Sequence, residues 1–230
     1  GMVMCVDHLR GAARTLYVFA KRGAKIIIVG GGAGVYNDHE VKKVHKLLKN
    51  IPIYGFISRD RYTYEHYKDL AIYSYDGLDN ASFIGDCFQP IELNLPEFII
   101  LNFDSSPEPN IDYGNYHVIR THHSSCPELC KSEFFSHPNT LISDLASDYL
   151  TLYAQAAITY TDRVHAAIAA LSFGHRAMMY FKKGDMRMHI FQRLGVPEIN
   201  KRPVRLDEKW FVEEKKKQIN FLRKILLEES

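Results

Sequence analysis

The chain has 230 residues, of which 46% are hydrophobic and 24% charged, and a formal net charge of +2. That length fits one domain or two small ones, and the near-neutral charge excludes the strong basic excess of a nucleic-acid-binding protein. No apolar run approaches the ~20 residues needed to cross a bilayer and no secretory signal opens the chain, so a cytoplasmic protein with four reduced cysteines is expected.

In chain order, strands and helices alternate, the pattern of parallel α/β sheets. Leu9–Ala20 reads as a helix and Lys25–Val29 as a buried strand running into a glycine-rich turn, Gly30, Gly31, Gly32, Ala33 and Gly34. The turn departs from the G-x-G-x-x-G spacing, because Val35 stands at the third glycine position. No acidic residue ends the next strand, which argues against a dinucleotide. Asp38–Lys49 is predicted helical, with Val41, Val44, Leu47 and Leu48 on its apolar face. Ile53–Ile57 follows as a strand and Tyr62–Leu70 as a short helix. The two prolines of QPIELNLPE, residues 89–97, suggest a domain boundary near residue 90. Three segments follow from that division: a first domain over 1–90, a second over 91–205, and a helical tail over 206–230.

In the second half, Phe98–Phe103 and Tyr116–Arg120 read as strands and Ser147–Ala156 as a helix. Then comes AITYTDRVHAAIAA, a strand over Ile158–Thr161 entering an alanine-rich helix that ends at Gly174. Thr161 or Asp162 is the expected N-cap, which places Arg163 and His165 in the first turn. A helix N-terminus with a guanidinium and an imidazole suits phosphate or carboxylate. Met178–Phe181 is the next strand and Asp185–Leu194 the next helix. The tail from Glu208 is one long helix; Phe211, Ile219, Leu222, Ile225 and Leu226 share a face and EEKKK is expected in solvent. That apolar face either packs on the chain's own body or, if splayed, joins a second copy as a homodimer.

HHSSCPELC offers a metal alternative, with His122, Cys126 and Cys130 at i, i+4 and i+8 if helical. Zinc needs a fourth ligand, and none is evident nearby. Pro127 more naturally starts a helix, leaving the histidines at a strand end. No metal is expected.

The stretch TDRVHAAIAALSFGHRAMMYFKKGD, followed by an amphipathic helix ending in RLGV, resembles the C-terminal signature of the polysaccharide pyruvyl transferases. KIIIVGGGAGVYND resembles that family's strand and glycine-rich turn, and ISRDRYT its strand with an Arg-acid pair and hydroxyl, here Arg59, Asp60 and Thr63. The resemblance implies two Rossmann-like domains of parallel sheet flanked by helices, in a glycosyltransferase-B-like arrangement with the tail returning across the cleft. It implies phosphoenolpyruvate as donor, a sugar or polysaccharide as acceptor, and no cofactor. Arg59 and Arg163 would converge on the donor's anions, with Gly31 and Gly32 at the same cleft. His165 would be the general acid, and one of Lys182, Lys183 and Arg187 would offset the leaving phosphate. Members of that family carry a further βα unit before the glycine-rich turn, so the first domain here reads as trimmed. A nucleotide-sugar glycosyltransferase of the same fold is the alternative, as is a paralogue that binds an anion without catalysis.

Overall fold

The computed structural model describes residues 2–123, 137–182 and 184–227. Cys126, Cys130 and Lys183, all named above, lie outside the described residues. The chain divides into two compact units: Gly1–Asn80 with Met186–Gly195 and Glu208–Ser230, and Ala81–Asp185 with Val196–Asp207.

The first unit opens with β1 (Val3–Met4) and α1 (Val6–Lys21), then β2 (Ile26–Ala33), α2 (Asp38–Leu48), β3 (Ile53–Ser58), α3 (Arg61–Tyr67) and β4 (Ala71–Asp76). The strands form one parallel sheet in the order β1-β2-β3-β4. Side-chain caps start two of its helices: Asn37 accepts from the Glu40 N–H at 2.8 Å, and Asp60 from the Thr63 N–H at 2.8 Å. Met4, Leu9, Ile28, Val44, Leu48, Phe56 and Tyr67 close the core between this sheet and α1–α3.

The glycine-rich segment is strand rather than turn. Gly31 pairs with Ser58 across a register shift, and Gly32 and Ala33 pair with Val3 and Met4. Of its glycines only Gly30 has a positive φ, at +69°, and Gly34 lies in the bend just past the strand. The missing side chains make room for neighbours: a Cβ on Gly31 would stand 2.6 Å from the Phe56 ring. On Gly32 a Cβ would overlap the Arg59 guanidinium, which lies across this position.

The second unit runs through the short helix α4 (Ile84–Cys87), β5 (Phe98–Asn102), β6 (His117–Thr121), β7 (Thr140–Leu141), α5 (Ala146–Tyr153), β8 (Ile158–Thr161), α6 (Val164–Ser172) and β9 (Arg176–Met179). Its sheet is parallel throughout, in the order β7-β6-β5-β8-β9. Counted within the unit this is 3-2-1-4-5, the Rossmann order, with its switch point between β5 and β8. All four residues of β8 are buried, and Gly174, at φ +81°, follows the end of α6 as expected. β9 ends two residues before the predicted strand does. Beyond Met179 the Tyr180 N–H still reaches the Thr161 carbonyl, at 2.8 Å, but the chain then leaves the sheet.

The chain returns to the first unit for α7 (Met188–Arg193) and later for α8 (Glu208–Leu227). α8 packs on that unit through Phe211, Gln218 and Ile225, and the Phe221 ring stacks on Tyr75 at 5.1 Å. The predicted face shifts: Ile219 and Leu226 are exposed, whereas Glu214 and Lys215, expected in solvent, are buried. Glu214 receives the Arg193 guanidinium at 2.7 Å, and the Lys215 ammonium lies over the Phe211 ring, 4.6 Å from its centroid. Among the described residues no helix is long and apolar enough to cross a membrane.

Candidate active site

In the second unit the carboxyl ends of β5, β6 and β8 bring together side chains that are far apart in sequence. β5 leads to Asp104, β6 to His122 and His123, and β8 to Asp162, Arg163 and, in the first turn of α6, His165. Arg163 is the N-cap residue of α6. Its N–H donates to the Thr161 hydroxyl at 2.8 Å, and that hydroxyl donates to the Asn102 side-chain carbonyl at 2.9 Å, locking β8 to β5 at the switch point. Asp162 does not cap α6. Its carboxylate accepts from the N–H groups of Asp104 at 3.2 Å and Ser105 at 2.8 Å. It therefore fixes the loop after β5.

That loop aims Asp104 into a polar cluster. Oδ1 lies 3.1 Å from His122 Nδ1. Oδ2 accepts from the His123 N–H at 3.3 Å and lies 3.5 Å from both His123 Nδ1 and Arg163 Nε. Burial pushes the Asp104 carboxyl up, but hydrogen bonds from the two histidines outweigh it and hold the group well below the usual carboxylate range. His123 Nε2 is 2.8 Å from the hydroxyl of Tyr153, whose phenol burial pushes upward. The Tyr149 hydroxyl donates to the His122 carbonyl at 2.7 Å, pinning the end of β6. Asp104 is almost wholly buried while Arg163 is 45% exposed, and His165 is exposed beside it. One carboxylate thus steadies the root of a guanidinium whose far face meets solvent.

Sequence reasoning placed the histidines at a strand end but missed their pairing with Asp104, along with Tyr153. The available signal was positional: Asp104 and His122 each stand just past an apolar strand, where α/β sheets collect their ligands.

The remaining predicted residues are divided between the two units. Arg59, Gly31 and Gly32 gather in the first unit at the ends of β2 and β3. Arg59 is 12% exposed and paired with Asp79 at 3.1 Å; its backbone N–H donates to the Gly31 carbonyl at 2.9 Å. Its buried Nε finds no hydrogen-bond partner among the described residues. Asp60 and Thr63 serve the scaffold. The Thr63 hydroxyl donates to Asp60 and accepts the Ala33 N–H, both at 2.8 Å, and burial raises the Asp60 carboxyl despite those bonds. Lys182 is exposed in the second unit, and Arg187, exposed at the start of α7, belongs to the first. Among the described residues no cluster of three or more His, Cys, Asp or Glu side chains could hold a metal ion.

The family model for polysaccharide pyruvyl transferases matches residues 5–180. The chain belongs to that family. The match takes in every strand after β1 and stops before α7 and α8, and so covers the Arg59 region and the whole Asp104–Arg163–His165 cluster. The family is a transferase family whose acceptors are sugars. No curated protein matches the chain. The order of the second sheet puts the start of α6 beside the loop after β5.

Proposed function

We propose that this pyruvyl transferase takes phosphoenolpyruvate as donor at the start of α6 and forms a ketal on two hydroxyls of a sugar. The observation that carries the proposal is the exposed Arg163–His165 pair at the switch point of the second sheet. Phosphoenolpyruvate carries a phosphate and a carboxylate close together. A guanidinium held from behind by Asp104, at a helix N-terminus, offers its free face to such an anion. Lys182, exposed just after β9, is the second-unit cation assigned to the departing phosphate.

The reaction balances as follows. His165 gives a proton to the methylene carbon of the enol, and a sugar hydroxyl bonds to the neighbouring carbon as it loses its own proton. The C–O bond to phosphate then breaks, the departing phosphate taking the proton of the first hydroxyl, and the second hydroxyl closes the ketal as its proton restores His165. The products are the ketal and inorganic phosphate. His165 suits the first step because an imidazole ring can both carry and give up a proton, and it is exposed next to Arg163.

A nucleotide-sugar reaction would want a carboxylate a turn along this helix to hold a ribose. α6 has none: Ala166 to Leu171 are all apolar and buried. The test is calorimetry with phosphoenolpyruvate and with UDP-sugars, followed by phosphate release with a pyruvate-acceptor glycan. Binding of phosphoenolpyruvate and acceptor-dependent phosphate release are expected. Binding of UDP-sugars alone would overturn the proposal, and donor binding without release would reduce the chain to an anion-binding paralogue.

A further inference from the structure

Within the first unit, the carboxyl end of β4 opens into a pocket of about 490 Å³ bounded by the first turn of α3, by α7 and by the start of α8. The donor proposal uses none of its residues. Its walls combine one aromatic face, Trp210, with a planar amide, an imidazole, two guanidiniums and two carboxylates.

The charges cancel inside the pocket. Arg61 donates to Asp76 at 3.3 Å, and Arg193 donates to Glu214 at 2.7 Å while its Nε lies 3.6 Å from Asp76. Arg193 also donates to the Asp76 carbonyl at 2.8 Å, so the wall is braced before any ligand arrives. A phosphate or carboxylate entering here would meet two carboxylates and find both guanidiniums already engaged. An apolar ligand would strip water from charged groups without replacing its hydrogen bonds. An uncharged polyol avoids both penalties. Each carboxylate has acceptor capacity beyond its present bonds, and the half-buried indole of Trp210 offers an apolar surface to the C–H face of a ring. Gln192, exposed and 2.9 Å from His189 Nδ1, adds an amide that both donates and accepts.

We propose that this pocket binds a neutral pyranose, and that in the transfer reaction it holds a sugar unit of the acceptor. The acceptor role rests on the pyruvyl-transfer proposal; sugar binding in the pocket does not.

Trp210 is the chain's single tryptophan, so its emission reports on this pocket without any label. The probes are the methyl glycosides of glucose, galactose and mannose, with sorbitol and uridine as comparisons and no donor present. A saturable change in emission is expected with at least one glycoside. Gln192→Ala and Gln192→Leu, at an exposed position and checked for an unchanged melting temperature, should each weaken it by about tenfold or more, as loss of one good hydrogen bond does. Saturation by no glycoside, saturation by uridine alone, or saturation indifferent to both substitutions would overturn the pocket assignment. Calorimetry with phosphoenolpyruvate is run in parallel: its failure would count against the transfer proposal and leave the sugar result standing.

Discussion

Arg163 meets solvent with nearly half of its side chain, while Asp104, 3.5 Å from its Nε, is buried between two histidines. The Asp104 carboxyl is held below its ordinary value of 3.8 because the histidine hydrogen bonds outweigh burial. A group lowered in this way stabilises the fold fully above that ordinary value, and the contribution is lost as pH falls toward the folded value. Asp104→Asn should therefore cost about 1–3 kcal/mol at neutral pH and show a shallower further loss on acidification than the wild type. Urea titrations at neutral and acid pH measure both. Arg163 and His165 should separate binding from turnover. Arg163→Ala should weaken phosphoenolpyruvate binding by about 1.5–3 kcal/mol, the worth of a charge-assisted hydrogen bond. His165→Gln should leave affinity within a few-fold and lower phosphate release by about 10² or more. Normal turnover by His165→Gln would place the acid elsewhere. At this scale the sequence exposed Arg163 and His165 because they stand in one short motif. Asp104 stayed hidden because its partners lie 18 and 19 residues away in the chain and meet it only through strand pairing.

Elements whose pattern is self-contained were legible. β8 has the predicted bounds, because β-branched and aromatic residues followed by an alanine run change period at one point. The glycine-rich segment misled because local preference favours a turn, whereas its geometry is set by β1 on one side and β3 on the other. β1 itself is two residues long and carries no periodicity to read. On α8 the stripe through Phe211 and Ile225 was readable, but burial of Glu214 depends on Arg193, 21 residues distant. The same helix holds a buried contact that no period predicts: Gln218 accepts the Leu78 N–H at 2.6 Å and is 1% exposed. Gln218→Leu keeps the volume and leaves that N–H without its acceptor, so a loss of about 1–3 kcal/mol is expected. Chemical denaturation would show it, and an unchanged midpoint would mean that the amide finds another acceptor.

The whole molecule is two parallel sheets whose polypeptide passes from one unit to the other after Asn80, Asp185, Gly195 and Asp207. A parallel α/β plan was legible from the alternation of apolar strands and amphipathic helices, and the pairing of two Rossmann-like sheets from the resemblance to the family. The interleaving was not, because composition marks linkers and says nothing of where a distant helix will dock. A chain ending at Asp207 should retain a folded second unit and lose cooperative folding of the first. Without α8, Leu78 loses its acceptor and Gly55 the Ile225 side chain that packs beside it. Hydrogen exchange on that truncated chain would read the two sheets separately; equal protection in both would contradict the expectation. The interleaving also has a consequence for biosynthesis. Every segment of the second unit is translated before Glu208. A nascent chain can thus finish the later-numbered sheet first, and the sheet begun by β1 waits, with its flank open to chaperones, for α8 to leave the ribosome.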